Sequence, residues 1–120
     1  MDNEQELKII GSIATVSSEA YRFSRTLDKA IKKLDMDDQK RIANRYSWFS
    51  RKIDDMMNEI GMRMILYEKV PYDVGMPITP INIDEFGSDD RLLILYTIEP
   101  TIMQGDRIFK TGTVVLGKED

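Results

Sequence analysis

The side chains with the strongest claim to chemistry are carboxylates: the adjacent pairs Asp84-Glu85 and Asp89-Asp90, and a third group at Asp35, Asp37 and Asp38. Carboxylates that cleave a glycosidic bond must face each other across a cleft several ångströms wide, which neighbours in turn-like sequence do not do. The group at Asp35 lacks the central Gly and the distal bidentate Glu of a calcium loop, so helix capping is its expected task. Cys and His are both absent from the 120 residues. Their absence removes disulfides, thiol nucleophiles, imidazole bases and nearly all zinc chemistry. No enzymatic activity, metal or cofactor is expected.

A basic cluster, Lys40, Arg41, Arg45, Arg51 and Lys52, is the one feature that favours nucleic acid. Asp54, Asp55 and Glu59 follow it directly, and 17 basic residues against 21 acidic give the chain a net charge of −4, which opposes phosphate binding. The cluster therefore reads as a solvated helix face, and nucleic acid is not expected as a partner. The charge is uneven: residues 1–60 hold 11 basic and 11 acidic side chains, residues 61–120 hold 6 and 10. A partner of the second half should present a basic or neutral face. Residues 1–6 are polar and acidic, and no stretch approaches the ~18 apolar residues of a membrane helix. A cytoplasmic location without membrane contact is the expectation.

Two apolar series organise the first half. Ile9, Ile13, Val16, Ala20, Phe23, Leu27, Ala30 and Leu34 recur at alternating intervals of four and three, as do Ile42, Tyr46, Phe49, Ile53, Met56 and Ile60. Each is a heptad seam, the pattern of helices packed at shallow angles. Trp48 flanks the second seam, where it can pack on a second copy. Asp35, Asp37 and Asp38 suit the N-cap of the second helix, and Gly61 suits a left-handed C-terminal cap. A lone pair of helices leaves much apolar surface wet, whereas two pairs close a four-helix core. The seams are therefore read as a dimer interface. The small-residue stretch Gly11, Ser12, Ala14, Thr15, Ser17 and Ser18 lowers helix propensity. It reads as tolerated helix surface with fraying before Ala20, the alternative being close helix approach or a flexible joint.

After Gly61 the texture changes. Residues 62–70, 78–83, 91–98 and 107–116 are β-rich, separated by turn-type segments that hold all four prolines. Leu92-Leu93-Ile94-Leu95 reads as a strand buried on both faces at the centre of this module. Met56, Met57, Met62 and Met64 are read as packing residues more than as a pliable binding surface. The expected fold is α+β: a helical hairpin over 1–61, forming a dimeric four-helix bundle, then a small all-β domain over 62–120.

The helix end at Met56-Met57-Asn58-Glu59-Ile60-Gly61-Met62, followed by Val70-Pro71-Tyr72-Asp73, resembles the passage from helix to β domain in GrpE, the nucleotide exchange factor of DnaK-type chaperones. The run Gly105-Asp106-Arg107-Ile108-Phe109-Lys110-Thr111-Gly112-Thr113-Val114-Val115-Leu116-Gly117-Lys118 is similar to that family's closing signature. The resemblance covers roughly the last 65 residues by motif and the helices by architecture. The family's long N-terminal stalk has no counterpart, since about 30 residues precede the turn, a helix of about 45 Å. The resemblance implies a homodimer whose β domain binds the ATPase domain of a DnaK-type chaperone in its open state and speeds ADP release. It implies partner contacts at Arg107, with Val70, Pro71, Tyr72, Asp73 and Leu116 as further positions. The bland alternative for Arg107 is a salt bridge to Asp106 or Asp89. Where the family has a His this chain has Pro77, and near its Gly-Tyr pair stand Thr101-Ile102. Those departures favour a dimeric adaptor of the same shape without exchange activity.

Overall fold

The structure, a computed structural model, describes residues 3–119. The chain divides between Gly61 and Met62 into two compact units, one of helices and one of strands, so the coarse class is α+β.

The first unit holds α1 (Asn3–Ile31) and α2 (Met36–Glu59). The boundaries follow from local chemistry. Asp35, in extended backbone, accepts a hydrogen bond from the Asp38 N–H at 2.9 Å, a side-chain N-cap. Gly61 stops α2 with φ +74, donating its N–H to the Asn58 carbonyl at 3.1 Å. The small-residue stretch is helical throughout and only partly at the surface: α1 runs unbroken from Asn3, Ser12 and Thr15 are exposed, and Ala14, Ser17 and Ser18 are buried together with Ser24. That corrects the sequence expectation, and the reason is steric, since small side chains permit close approach where a Leu or Phe would hold neighbours apart. The seam of α1 points elsewhere. Val16 is 56 % exposed and Phe23 65 %. In α2 only Met57 is buried, one position off the seam. None of the described helices is long and apolar enough to cross a membrane.

The second unit contains seven strands: β1 (Met62–Ile65), β2 (Val70–Pro71), β3 (Ile78–Pro80), β4 (Leu92–Glu99), β5 (Thr101–Gln104), β6 (Arg107–Lys110) and β7 (Gly112–Lys118). They form a three-stranded sheet in the order β1-β5-β6 and a four-stranded sheet in the order β2-β4-β7-β3, with β3 parallel to β7. Two stretches that read as single runs are each divided between the sheets. Residues 62–70 become β1 and β2, and residues 107–116 become β6 and β7, parted at Thr111. β5, which sits between Pro100 and Gly105, carries no distinct strand signal of its own. β4 is an interior strand, but its burial is one-sided: Ile94 is fully buried and Leu95 is 39 % exposed.

The core of the four-stranded sheet is Ile78, Ile94, Val114 and Leu116, covered by Tyr67, Val70, Tyr72, Met76, Phe86 and Leu92. Polar side chains complete its hydrogen bonding. The Asn82 amide donates to the Leu116 carbonyl and accepts from the Leu116 N–H, both at 2.9 Å, extending the β3 edge with a side chain where backbone pairing has stopped. The buried Thr97 hydroxyl bridges the Tyr67 N–H and carbonyl at 2.8 and 2.9 Å. Where the chain crosses from one sheet to the other, the Thr101 hydroxyl donates to the Pro77 carbonyl and accepts from the Gly112 N–H. A Cβ on Gly112 would lie 2.6 Å from that hydroxyl and 2.7 Å from the Glu99 carbonyl, so only glycine fits.

Candidate interaction surfaces

Four of the carboxylates Asp35, Asp37, Asp38, Asp84, Glu85, Asp89 and Asp90 have structural tasks. Asp35 caps α2, Asp38 pairs with Arg41 at 3.1 Å, Asp90 accepts from the Gly87 N–H at 2.8 Å, and Glu85 accepts from Asn82. No group of three or more His, Cys, Asp or Glu comes together among the described residues.

What remains exposed with binding character falls into one surface on the helices and two on the strands. On the helices, Phe23 and Leu27 of α1 and Ile42, Tyr46, Trp48 and Phe49 of α2 line an open apolar groove of about 820 Å³, rimmed by Arg41 and Arg45. Of the seam positions, Ile9, Val16, Phe23, Ala30, Leu34, Phe49, Met56 and Ile60 are exposed, and Ile13, Ala20, Leu27, Ile42, Tyr46 and Ile53 are half-buried. Trp48 is 49 % exposed. Two cations lie over its ring, the Arg45 guanidinium 5.3 Å and the Lys52 ammonium 5.5 Å from its centroid. Sequence reasoning missed this arrangement, although its signal was there: a cation three residues before a Trp and another four after it share one helix face.

On the strand unit, β5 and β6 turn through Gly105-Asp106, with Gly105 at φ +58, and the turn delivers Arg107 to the surface. Arg107 makes no ion pair among the described residues, with Asp106, Asp89 or any other acid. An exposed guanidinium without a partner is free to engage an external carboxylate. The segment Val70-Pro71-Tyr72-Asp73 lies at the β2 edge of the other sheet. There the Tyr72 N–H donates to the Leu92 carbonyl at 2.9 Å, and the Asp73 carboxylate turns the chain by accepting from the Gly75 N–H at 3.1 Å. Pro71 and Tyr72 share a shallow groove of about 590 Å³ with Val74, Ile83, Phe86 and Arg91, positions the sequence reading had not singled out. Leu116 differs from the rest: it is 2 % exposed, inside the core, so its side chain cannot meet a partner in this fold. Its alternation was legible, but which face of β7 turned inward was not.

Comparison of the chain with protein-family models, with curated proteins and with solved structures gives no match.

Proposed function

We propose that this chain is a GrpE-like co-chaperone: a homodimer built on its helical seams, whose strand unit binds the ATPase domain of a DnaK-type chaperone and promotes ADP release. The observation that carries the reading is the β5–β6 hairpin. It sets an unpaired, exposed Arg107 at the Gly-Asp-Arg turn, at the start of β6 and one strand ahead of the Val-rich β7, where the resemblance implies a partner contact. The helix-to-strand switch at Gly61 and the turn at Val70–Asp73 support it in the same order along the chain. The mechanism is differential binding. A surface that fits the chaperone with its nucleotide cleft open shifts the population toward that state, and the chain itself performs no chemistry.

The dimer is the second component of the proposal. The groove lined by Phe23, Leu27, Ile42, Tyr46 and Phe49 is a four-helix core with half of it missing, and a second pair of helices supplies that half. Stopped-flow release of a fluorescent ADP analogue from a DnaK-type chaperone encoded in the same genome tests the function. Acceleration by the wild type, reduced by Arg107→Ala at unchanged melting temperature, is the expected result. No acceleration by the wild type, with binding retained, would replace exchange by the adaptor reading.

A further inference from the structure

The groove at the β2 edge of the four-stranded sheet is built from separately pinned pieces of chain. Its floor is Tyr72, Phe86 and Leu92, half-buried side chains packed on the core of that sheet. Val74 stands on a closed turn, where the Met76 N–H donates to the Asp73 carbonyl at 3.0 Å and the Gly75 N–H to the Asp73 carboxylate at 3.1 Å. Ile83 begins a single 3₁₀ turn, Ile83–Glu85, which follows directly on the Asn82 bonds to Leu116. Gly87 and Asp90 exchange two hydrogen bonds, and the Glu119 N–H donates to the Arg91 carbonyl at 2.9 Å. These bonds fix the walls before anything binds, so an occupant need not order them. Val74 is nevertheless 85 % exposed and Ile83 42 %. Aliphatic side chains held in the open beside an aromatic floor are apolar surface that awaits a cover.

Shape and charge narrow what that cover is. The volume of about 590 Å³ is that of a ligand cleft, but small molecules are held by near-complete enclosure. A shallow groove grips one side of its occupant, which suits a chain segment that continues past both ends. The stretches that build the groove, residues 71–74, 83–92 and 118–119, hold six carboxylates against two basic side chains, Arg91 and Lys118. Lys118 is already held by Asp90 at 3.8 Å. Asp73, Asp84, Asp89 and Glu119 are exposed and make no ion pair among the described residues. A surface with that excess attracts cations and repels anionic chains.

We infer that this groove binds an extended peptide segment that sets a large apolar side chain on the Tyr72 and Phe86 floor and carries Lys or Arg on both sides of it. Val74 and Ile83 grip the apolar side chain, and the surrounding carboxylates pair with the flanking cations. Arg91, exposed and without an ion pair among the described residues, donates to main-chain carbonyls of the segment. This recognition does not depend on the chaperone reading, with which the groove shares only Pro71 and Tyr72.

Fluorescence anisotropy with the full chain and labelled heptapeptides tests this. One peptide has Leu-Phe-Leu between Lys-Arg pairs, a second has the same centre between Asp-Glu pairs, and a third has Ser-Gly-Ser between Lys-Arg pairs. The first should bind, and the other two on the order of 10-fold or more weakly. Val74→Ser/Ile83→Ser alters exposed positions outside the core. It should weaken the first peptide by about 10-fold at an unchanged melting temperature. Arg91→Glu should tighten that peptide and Glu119→Lys should weaken it, since the first adds to the negative excess and the second reduces it. Amide shifts in the nuclear magnetic resonance spectrum of the wild type give a second readout that needs no variant, and the first peptide should move Tyr72, Val74, Phe86 and Arg91. No binding of that peptide at millimolar concentration would overturn the inference, as would equal binding of the acidic peptide or of the one with the Ser-Gly-Ser centre. Affinity indifferent to the double variant would place the peptide elsewhere on this acidic chain and overturn it too. Shifts at Val74 and Ile83 that follow protein concentration without peptide would give the groove to a second copy instead. No chaperone or nucleotide is present in either assay, so the outcome stands whether or not the chain accelerates ADP release.

Discussion

The two units of this chain close their structures in opposite ways. In the strand unit, residues far apart in sequence satisfy one another: Asn82 pairs with Leu116, Thr97 with Tyr67, Thr101 with Pro77, and Ile94, Ile102 and Val114 have no exposed surface. In the helical unit backbone bonding is local, and no large apolar residue of either seam is buried: Val16, Phe23, Phe49 and Ile60 are exposed and Leu27, Ile42 and Ile53 half-buried, while Ser17, Ser18 and Ser24 are buried. Hydrophobic burial stabilises a fold only when the apolar surface is covered. The strand unit thus carries a core within one copy, and the helical unit leaves much of its apolar surface uncovered. That difference is why the proposed dimer is placed on the helices and the proposed partner contact on the strands.

The largest expected effect breaks the closed side of the contrast. Gly112→Val places a branched side chain onto the Glu99 and Thr101 backbone, where even a Cβ is below 3.0 Å from three atoms. A cost of about 4 kcal/mol or more follows, because backbone on both sides cannot yield as a flexible side chain would. The measurement is thermal unfolding followed by near-ultraviolet circular dichroism at the tyrosines of the strand unit. Wild-type stability in this variant would mean that the crossing between the sheets is looser than described.

Next in size is Phe49→Ala, which sharpens the open side. Phe49 is 44 % exposed in one copy, so within a monomer little burial is lost. In a bundle it would be covered, and truncation should then cost about 2 to 3 kcal/mol per copy. The variant should therefore melt at nearly the wild-type temperature when dilute, while its dissociation constant rises steeply. A loss of stability independent of protein concentration would show that Phe49 packs within its own chain.

The same contrast explains what the sequence reveals. Both helices, the Asp35 cap and the Gly61 stop were legible because each depends on residues within one or two turns of itself. Which face of α1 is buried was not, since a heptad seam announces an apolar stripe without saying whether its cover comes from the same chain. The small residues Ala14, Ser17 and Ser18 won that face by permitting close approach, a property periodicity does not score. In the strand unit, turns were legible from Pro and Gly, but pairing was not. β5 lacked a signal because four residues between Pro100 and Gly105 read as loop, and β6 and β7 read as one strand because only Gly112, through its crowding with Thr101, marks the change of sheet. For the interaction surfaces, Arg107 was legible as a turn residue, whereas Leu116 was misplaced for want of knowing the inward face.

A middling effect is expected at Asn82, whose amide stands in for strand pairing. Asn82→Ala removes both hydrogen bonds to Leu116 and leaves that residue's buried N–H and carbonyl without partners, a cost of about 1 to 2 kcal/mol. Hydrogen exchange reads this locally: the Leu116 amide should lose protection by a factor on the order of 10, with α1 and α2 amides unchanged. Equal loss of protection in the helices would mean that the two units open together.

The smallest effect lies at the junction of the units, at Gly61. Its φ of +74 is left-handed, and a Cβ there would meet nothing within 4 Å, so the cost of a side chain is purely conformational and not a clash. Gly61→Ala should destabilise by about 1 kcal/mol. Gly61→Asn should cost less, because Asn tolerates the left-handed region and can cap the helix in the same position. The order of the two variants is the informative result. At Gly112, where the limit is space, Asn would be worse than Ala; at Gly61, where the limit is backbone geometry, Asn should be better. Chemical denaturation of both variants decides it, and an Ala variant as stable as the Asn variant would mean that α2 ends by losing hydrogen-bond partners, with the left-handed cap contributing nothing to where it stops.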